Sequence, residues 1–227
     1  MRLRLPEERP AEPPTGFKIA HPVLSHDGTR AGFTGVSLGA ALPYGVLADA
    51  SCVYGLRHRV PHRRCDCGFH CVHERAAAEA LLCTAEHRTA ALLEVTVLGA
   101  YIRFEHGFRY ARQRVRVATV GPCACGTVAA ALADAGWGRP GRRALAPSCA
   151  GCLHGRTSVS LASFARLAGD GLRVVAGRGG TPENPGTDGL GVAELAAEAA
   201  LLQARLDWFQ TQLARFGGPG PGGAGQG

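Results

Sequence analysis

Lysine is nearly absent from this chain: among 25 basic residues Lys18 stands alone, and the others are arginine. Aromatic residues make up only 6% of the total. Cores built from Ala, Val and Leu bury less apolar area per residue, so small modules of this composition benefit from a staple. No apolar run is long enough for a membrane span. The longest, "GVSLGAALPYGVLADASCV", is interrupted by Pro43, Gly45 and Asp49, short of the roughly 20 apolar residues required. The opening "MRLRLPEERPAEPP" passes from basic to proline-rich without an apolar core, which does not fit a secretory signal. The expected location is therefore the cytoplasm.

Catalytic signatures are missing too. There is no His-Glu-x-x-His and no phosphate-cradling Gly-x-x-x-x-Gly-Lys. "HCVHE" and "PSCAGC" each miss the nucleobase-deaminase pattern by one residue, because Glu74 directly follows His73 and Ser148 separates Pro147 from Cys149. The residue types still allow a cysteine–histidine nucleophile pair, but thiol-rich metal sites explain those residues more simply.

What the chain has in quantity is cysteine, nine in all. In a reducing compartment these read as metal ligands or reactive thiols rather than disulfides, and the odd count agrees. They fall into two groups. The second reads Cys123-x-Cys125 and, after a long interval, Cys149-x-x-Cys152, flanked by Gly126, Pro147 and Gly151. Zinc takes four soft or borderline ligands in a tetrahedron, and paired short spacings let one tight turn supply two of them. His154 is a candidate replacement for one of these cysteines. The first group lies in and just before "RHRVPHRRCDCGFHC", where the ligand set is Cys52, His58, Cys65 and Cys67, with His62 and Cys71 as the nearest spares. Gly68 suits the sharp turn after a Cys-x-Cys clamp. Cys83 sits alone among leucines and reads as a small core residue. The expectation is two zinc ions per chain.

The expected fold class is α+β: a small β-rich domain with zinc-knuckle-like sites, followed by a long C-terminal amphipathic helix. Residues 1–15 form a Pro/Glu-rich disordered tail, 16–120 a β-rich module with the first cluster, and 121–176 a second Cys-rich module. Residues 177–189 are a linker, 190–216 the helix, and 217–227 a Gly/Pro-rich tail. A hairpin is expected around Asp27-Gly28, and further turns at Gly99-Ala100 and His106-Gly107. "HERAAAEALLCTAEH", with Leu81 and Leu82 turned inward, "TVAAALADAG" and "TSVSLASFARLAG" are expected helices, the last capped by Ser158 or Ser160. "LRVVAG" is a candidate strand.

"HRVPHRRCDCGFHC" followed by "LGAYIRFEHGFRYARQRV" resembles a Cys/His-rich protein family of high-GC Gram-positive bacteria. That family carries a His-Pro step, a Cys-x-Cys-Gly-Phe segment and then a hairpin with Gly-Phe-Arg. The resemblance spans roughly Gly16 to Val120, with a weaker echo through Cys152, and implies a shared domain without an activity. This chain has His70 where tyrosine is usual, and its His-Pro step is spread over His58 to Pro61, so His58 and His62 both stay open as the histidine ligand. Separately, the Cys-x-Cys and Cys-x-x-Cys order is similar to the zinc switch of a redox-activated chaperone family.

The net charge of +7 permits contact with nucleic acid or an acidic protein. Alternation along "ARQRVRV" sets Arg112, Arg114 and Arg116 on one face, and Phe108 and Tyr110 flank Arg109. Guanidinium groups beside aromatics suit phosphate contact and base stacking, while a charged strand edge protected from aggregation is the plainer reading. Arg57, Arg59, Arg63 and Arg64 crowd the first cysteine cluster. In 190–216, Val192, Leu195, Ala199, Leu202, Leu206, Phe209, Leu213 and Phe216 recur at heptad steps, so a homodimer through Leu195, Leu202, Leu206, Phe209 and Leu213 is a candidate. The resulting expectation is a non-enzymatic, zinc-stabilised binding or regulatory adaptor. The alternative is a redox-sensing switch in which thiolate oxidation releases zinc.

Overall fold

In a computed structural model the described residues are 12–36 and 42–177, and they belong to one compact unit. The chain forms β1 (Thr15–Ser25), β2 (Ala31–Gly35), β3 (Leu47–Asp49), β4 (Phe69–Val72) and α1 (Arg75–Leu82). It continues with β5 (Ala91–Arg103), β6 (Gly107–Val120), β7 (Ala131–Arg139) and β8 (Arg142–Ser148). Last come β9 (Ser158–Ser160), α2 (Leu161–Ala168) and β10 (Arg173–Ala176).

The α+β expectation is corrected by this architecture. Among the described residues all ten strands belong to one sheet, and the two α-helices are eight residues each. Residues 178–227, where the linker, the long helix with its heptad leucines and the tail are expected, lie outside the described residues. No helix among the described residues is long and apolar enough to cross a membrane.

Strand β6 organises the sheet. One of its edges pairs with β5, and the other pairs in succession with β4 (at Gly107–Tyr110), β3 (at Arg112–Arg114) and β10 (at Val117–Val120). β1 pairs with β5 through Thr15–Ala20 and touches β4 at Phe17, so β1, β5, β6 and β4 close a ring. A second closure joins β2 to the stretch leading into β3, through the Phe33–Tyr44 bridge. Inside lie Phe33, Leu93, Val95, Val97, Tyr110, Val115 and Phe164, all within 1% of complete burial. Residues 16–120 and 121–176 share this sheet, because β8 pairs with β1 at Val23–Ser25.

The Asp27-Gly28 hairpin joins β1 to β2, with Ser25 and Asp27 side chains tying the turn and Gly28 at φ +72°. Ser160 caps α2, accepting from the Ser163 amide at 3.1 Å. Other local expectations fail for tertiary reasons. Gly99-Ala100 is no hairpin turn: β5 runs through it as a bulge, and the turn comes at Phe104–His106. Within "TVAAALADAG" the alanines favour helix, but Ala131, Leu132 and Ala133 are fully or nearly buried in β7 between β8 and β9. Pairing on both edges satisfies more backbone than an isolated helical turn can, and it overrides propensity. Leu81 stays exposed on α1.

The lone lysine is half-buried against the aromatic residues of this core. Lys18 Nζ lies 5.0 Å from the Tyr44 ring centroid and 4.9 Å from that of Phe69, with Gln113 Oε1 at 3.5 Å. Burial pushes its amine down from 10.5 to about 8, against the pull of Cys71. Between those values the unfolded chain holds a proton that the folded one does not, so this group adds stability as pH rises from about 8 to 10.5. Lys18→Met is expected to unfold at higher urea than the parent at pH 7. That advantage should shrink by about 1.4 kcal/mol per pH unit across the window. Urea titrations at pH 7, 9 and 10 check this; a constant difference would show that the amine is not desolvated.

Candidate metal centres

The first centre grows out of the order in which strands line β6. The chain leaves β3 with the Ala50 amide bonded to the Ala111 carbonyl, and returns at Phe69, paired with Tyr110. The loop 50–68 is therefore pinned at its base to adjacent residues of one strand, and it contains no helix or strand of its own. Loops of this length inside compact domains are uncommon without a further constraint.

Cys52, His58, Cys65 and Cys67 can supply that constraint by holding a metal ion, since their ligand atoms all lie within 4.8 Å of one another. Metal–sulfur bonds of about 2.3 Å in a tetrahedron set sulfurs about 3.8 Å apart, and the Cys52 and Cys65 Sγ atoms stand at 3.8 Å. Both ring nitrogens of His58 lie 3.9 Å from Cys67 Sγ, and its Nδ1 is 3.0 Å from the Arg59 carbonyl. A proton on Nδ1 donated to that carbonyl leaves Nε2 as the ligating nitrogen, the usual way an outer partner fixes a histidine tautomer. Burial pushes the Cys52 thiol up, but the Tyr54 and Leu56 amides, with Cys65 and His58, outweigh it and bring it down to about 7.

The spare ligands have other work. The His62 ring stacks on His58 at 4.7 Å between centroids, and its Nδ1 accepts from the Arg64 amide. Cys71 faces the core, so close to Gly16 that a Cβ there would stand 2.5 Å from its sulfur. Cys83 is exposed at the end of α1 instead of buried.

The second centre follows from hairpin register. Ala131 pairs with Ser148 at one end of the β7–β8 hairpin, so the segment entering β7 and the segment leaving β8 emerge side by side. Cys123, Cys125, Cys149 and Cys152 meet there within 4.8 Å, and Cys125 and Cys149 Sγ are 3.6 Å apart. The Gly126 amide donates to the Cys123 carbonyl, and Gly126 takes φ +84°, closing the turn after the first pair. Amides of Cys125 and Cys149 bring the Cys123 thiol down to about 6. Cys152 is instead pushed up to about 12 by its neighbours, Cys149 first. Four thiols this close cannot all ionise alone; a divalent cation removes the conflict. His154 is not among the four.

Both groups of four can hold a metal ion, and each draws all its donors from protein.

The arginines of β6 divide. Arg109 is 6% exposed and runs beneath the first loop, donating Nη1 to the Cys65 carbonyl and Nη2 to the His62 carbonyl, with Asp66 at 3.6 Å. Arg112 is held by Asp49 through two bonds of 2.6 and 2.8 Å, and Arg116 donates to Thr96 Oγ1. Arg114 is half-buried opposite Thr96 and Leu47. Sequence reasoning missed the brace role of Arg109, since nothing in "GFRYARQ" shows that a loop more than forty positions upstream folds over it. It also missed a cleft of about 170 Å³ where His21, Glu86, His87, Trp137 and Arg139 converge from distant positions.

No family model, curated protein or solved structure matches this chain.

Arg109 orients two carbonyls of the ligand-bearing loop, so Arg109→Met should loosen the first centre selectively. Removing such an outer partner typically lowers metal affinity ~10–100-fold. Competition with a chromophoric chelator is expected to show one weakened and one unchanged metal per chain. Two unchanged metals would make the brace incidental.

Proposed function

We propose that this chain is a non-enzymatic, zinc-stabilised binding or regulatory adaptor protein. The observation that carries the reading is that each centre offers four Cys or His ligand atoms within 4.8 Å. A closed set of four leaves no coordination position for substrate or an activated water, which is the mark of structural zinc. Thiolate and imidazole donors favour zinc over harder cations. All nine cysteines are free thiols, which suits a reducing compartment. Structural zinc contributes ~10–16 kcal/mol of apparent binding energy in small peptides, enough to hold loops that lack hydrogen-bonded structure.

Metal analysis of protein purified without added metal is expected to give two zinc ions per chain. Cys67→Ser and Cys149→Ser should each remove one equivalent while the other remains. A ratio below one in folded, reduced protein would overturn the reading.

A second reading, a redox-sensing zinc switch, is favoured by one feature of the second centre. Cys125 and Cys152 are exposed, whereas Cys123 and Cys149 are buried. Peroxide reaching an exposed thiolate forms a sulfenic acid, and attack by a second thiolate gives a disulfide, water and released zinc. On this reading a peroxide titration releases one zinc per chain, from the second centre first. Zinc retained at peroxide levels that oxidise ordinary free thiols would leave the adaptor reading alone.

A further inference from the structure

The loop that the first centre holds carries an unusual outer surface. Val53, Tyr54 and Leu56 are 57%, 62% and 57% exposed, three of the most exposed large apolar side chains among the described residues. They follow Cys52 directly, in the turn where the Gly55 amide donates to the Cys52 carbonyl and Gly55 takes φ +68°. Exposed apolar side chains gathered on one turn offer a contact surface to a partner.

Charge says what kind of partner. Arg57, Arg59, Arg63 and Arg64 are all exposed, and none has an ion-pair partner among the described residues. The only acid in 50–68 is Asp66, which lies against Arg109. This free positive charge contrasts with β6, where Arg109 is buried and Arg112 is neutralised by Asp49.

We propose that the loop 50–68 binds single-stranded nucleic acid, with Tyr54, Val53 and Leu56 against base faces and Arg57, Arg59, Arg63 and Arg64 on the phosphates. A duplex hides its base faces and is read by an element that enters a groove, whereas this loop contains neither helix nor strand. An amphipathic acidic peptide would need an apolar groove for its buried face; here the apolar side chains stand outward. The proposal deepens the adaptor reading and rests on it for the metal that orders the loop.

The test uses the full-length, metal-loaded chain and fluorescein-labelled dT12 and U12, with a blunt duplex of the same length and a polyglutamate peptide as comparators. Expected is binding of the single strands at least tenfold tighter than of duplex or polyglutamate. The two single-strand arms show whether DNA or RNA is preferred. Base stacking on an aromatic side chain is worth ~1–3 kcal/mol, so Tyr54→Ala with Leu56→Ala should weaken binding roughly fivefold or more. Arg57→Gln with Arg59→Gln should flatten the dependence of log affinity on log salt by about 1.4, at ~0.7 per phosphate. Arg112→Gln with Arg116→Gln should leave binding unchanged. The proposal is overturned by absence of binding, by equal binding of duplex, by tighter polyglutamate binding, or by loop variants that bind like the parent. Zinc content measured in the same samples separates the two levels. A two-zinc protein that binds no strand loses only this inference, and a protein without zinc loses the adaptor reading whatever it binds.

Discussion

Strand β6 is fourteen residues of backbone with two edges to satisfy, and most of the molecule follows from how that is done. A buried amide or carbonyl left unpaired costs about 1–3 kcal/mol, so neither edge can stay bare inside a core. β5 covers one edge with a single long hairpin. The other edge is covered piecewise by β4, β3 and β10, which come from three separate parts of the chain. Short strands of three or four residues give few hydrogen bonds each, and the chain between them must leave the sheet and return. The loop 50–68 is the direct consequence, and the four residues Cys52, His58, Cys65 and Cys67 that can hold a metal ion gather within it.

The second centre answers the same problem at the β7–β8 hairpin. Here strand register, not loop closure, brings the two cysteine pairs together, and the sulfurs then repel if ionised. The backbone is already arranged for the ionised state, since amides converge on Cys123. The two centres thus differ in dependence: the second is assembled largely by pairing that stands without metal, the first by a loop with little pairing of its own.

The two groups of candidate ligands were legible in the sequence because their spacing is a local property. Cys-x-Cys with a following glycine, and Cys-x-x-Cys, need only one turn each, and Cys52, His58, Cys65 and Cys67 come together as the spacing predicts. The hairpin at Asp27-Gly28 and the Ser160 cap were legible for the same reason. The misses are all non-local. "TVAAALADAG" has helical propensity, and only its neighbours β8 and β9 make it a strand. Gly99 looked like a turn because a glycine in a bulge and one in a hairpin share the same positive φ, here +69°. The α+β class failed because ten strands form one sheet beside two eight-residue helices, one expected helix being a strand, while the long helix it relied on lies outside the described residues.

Arginine shows how far composition alone can mislead about function. Periodicity places Arg112, Arg114 and Arg116 on one face of β6, and an arginine-rich face invites a ligand. Yet each guanidinium has five donors in a fixed fork, and such a group on a crowded sheet tends to be claimed by whatever acceptor lies within reach. Asp49 arrives on β3 and takes Arg112; two carbonyls of the first loop take Arg109; Thr96 takes Arg116. The loop arginines differ because the loop's own carbonyls and ligands face inward, toward the metal centre and Arg109. With those groups turned inward, Arg57, Arg59, Arg63 and Arg64 stand outward, and Tyr54 and Leu56 are exposed beside them. The same inward turn of carbonyls and candidate ligands that brings Cys52, His58, Cys65 and Cys67 together leaves these side chains on the outer surface.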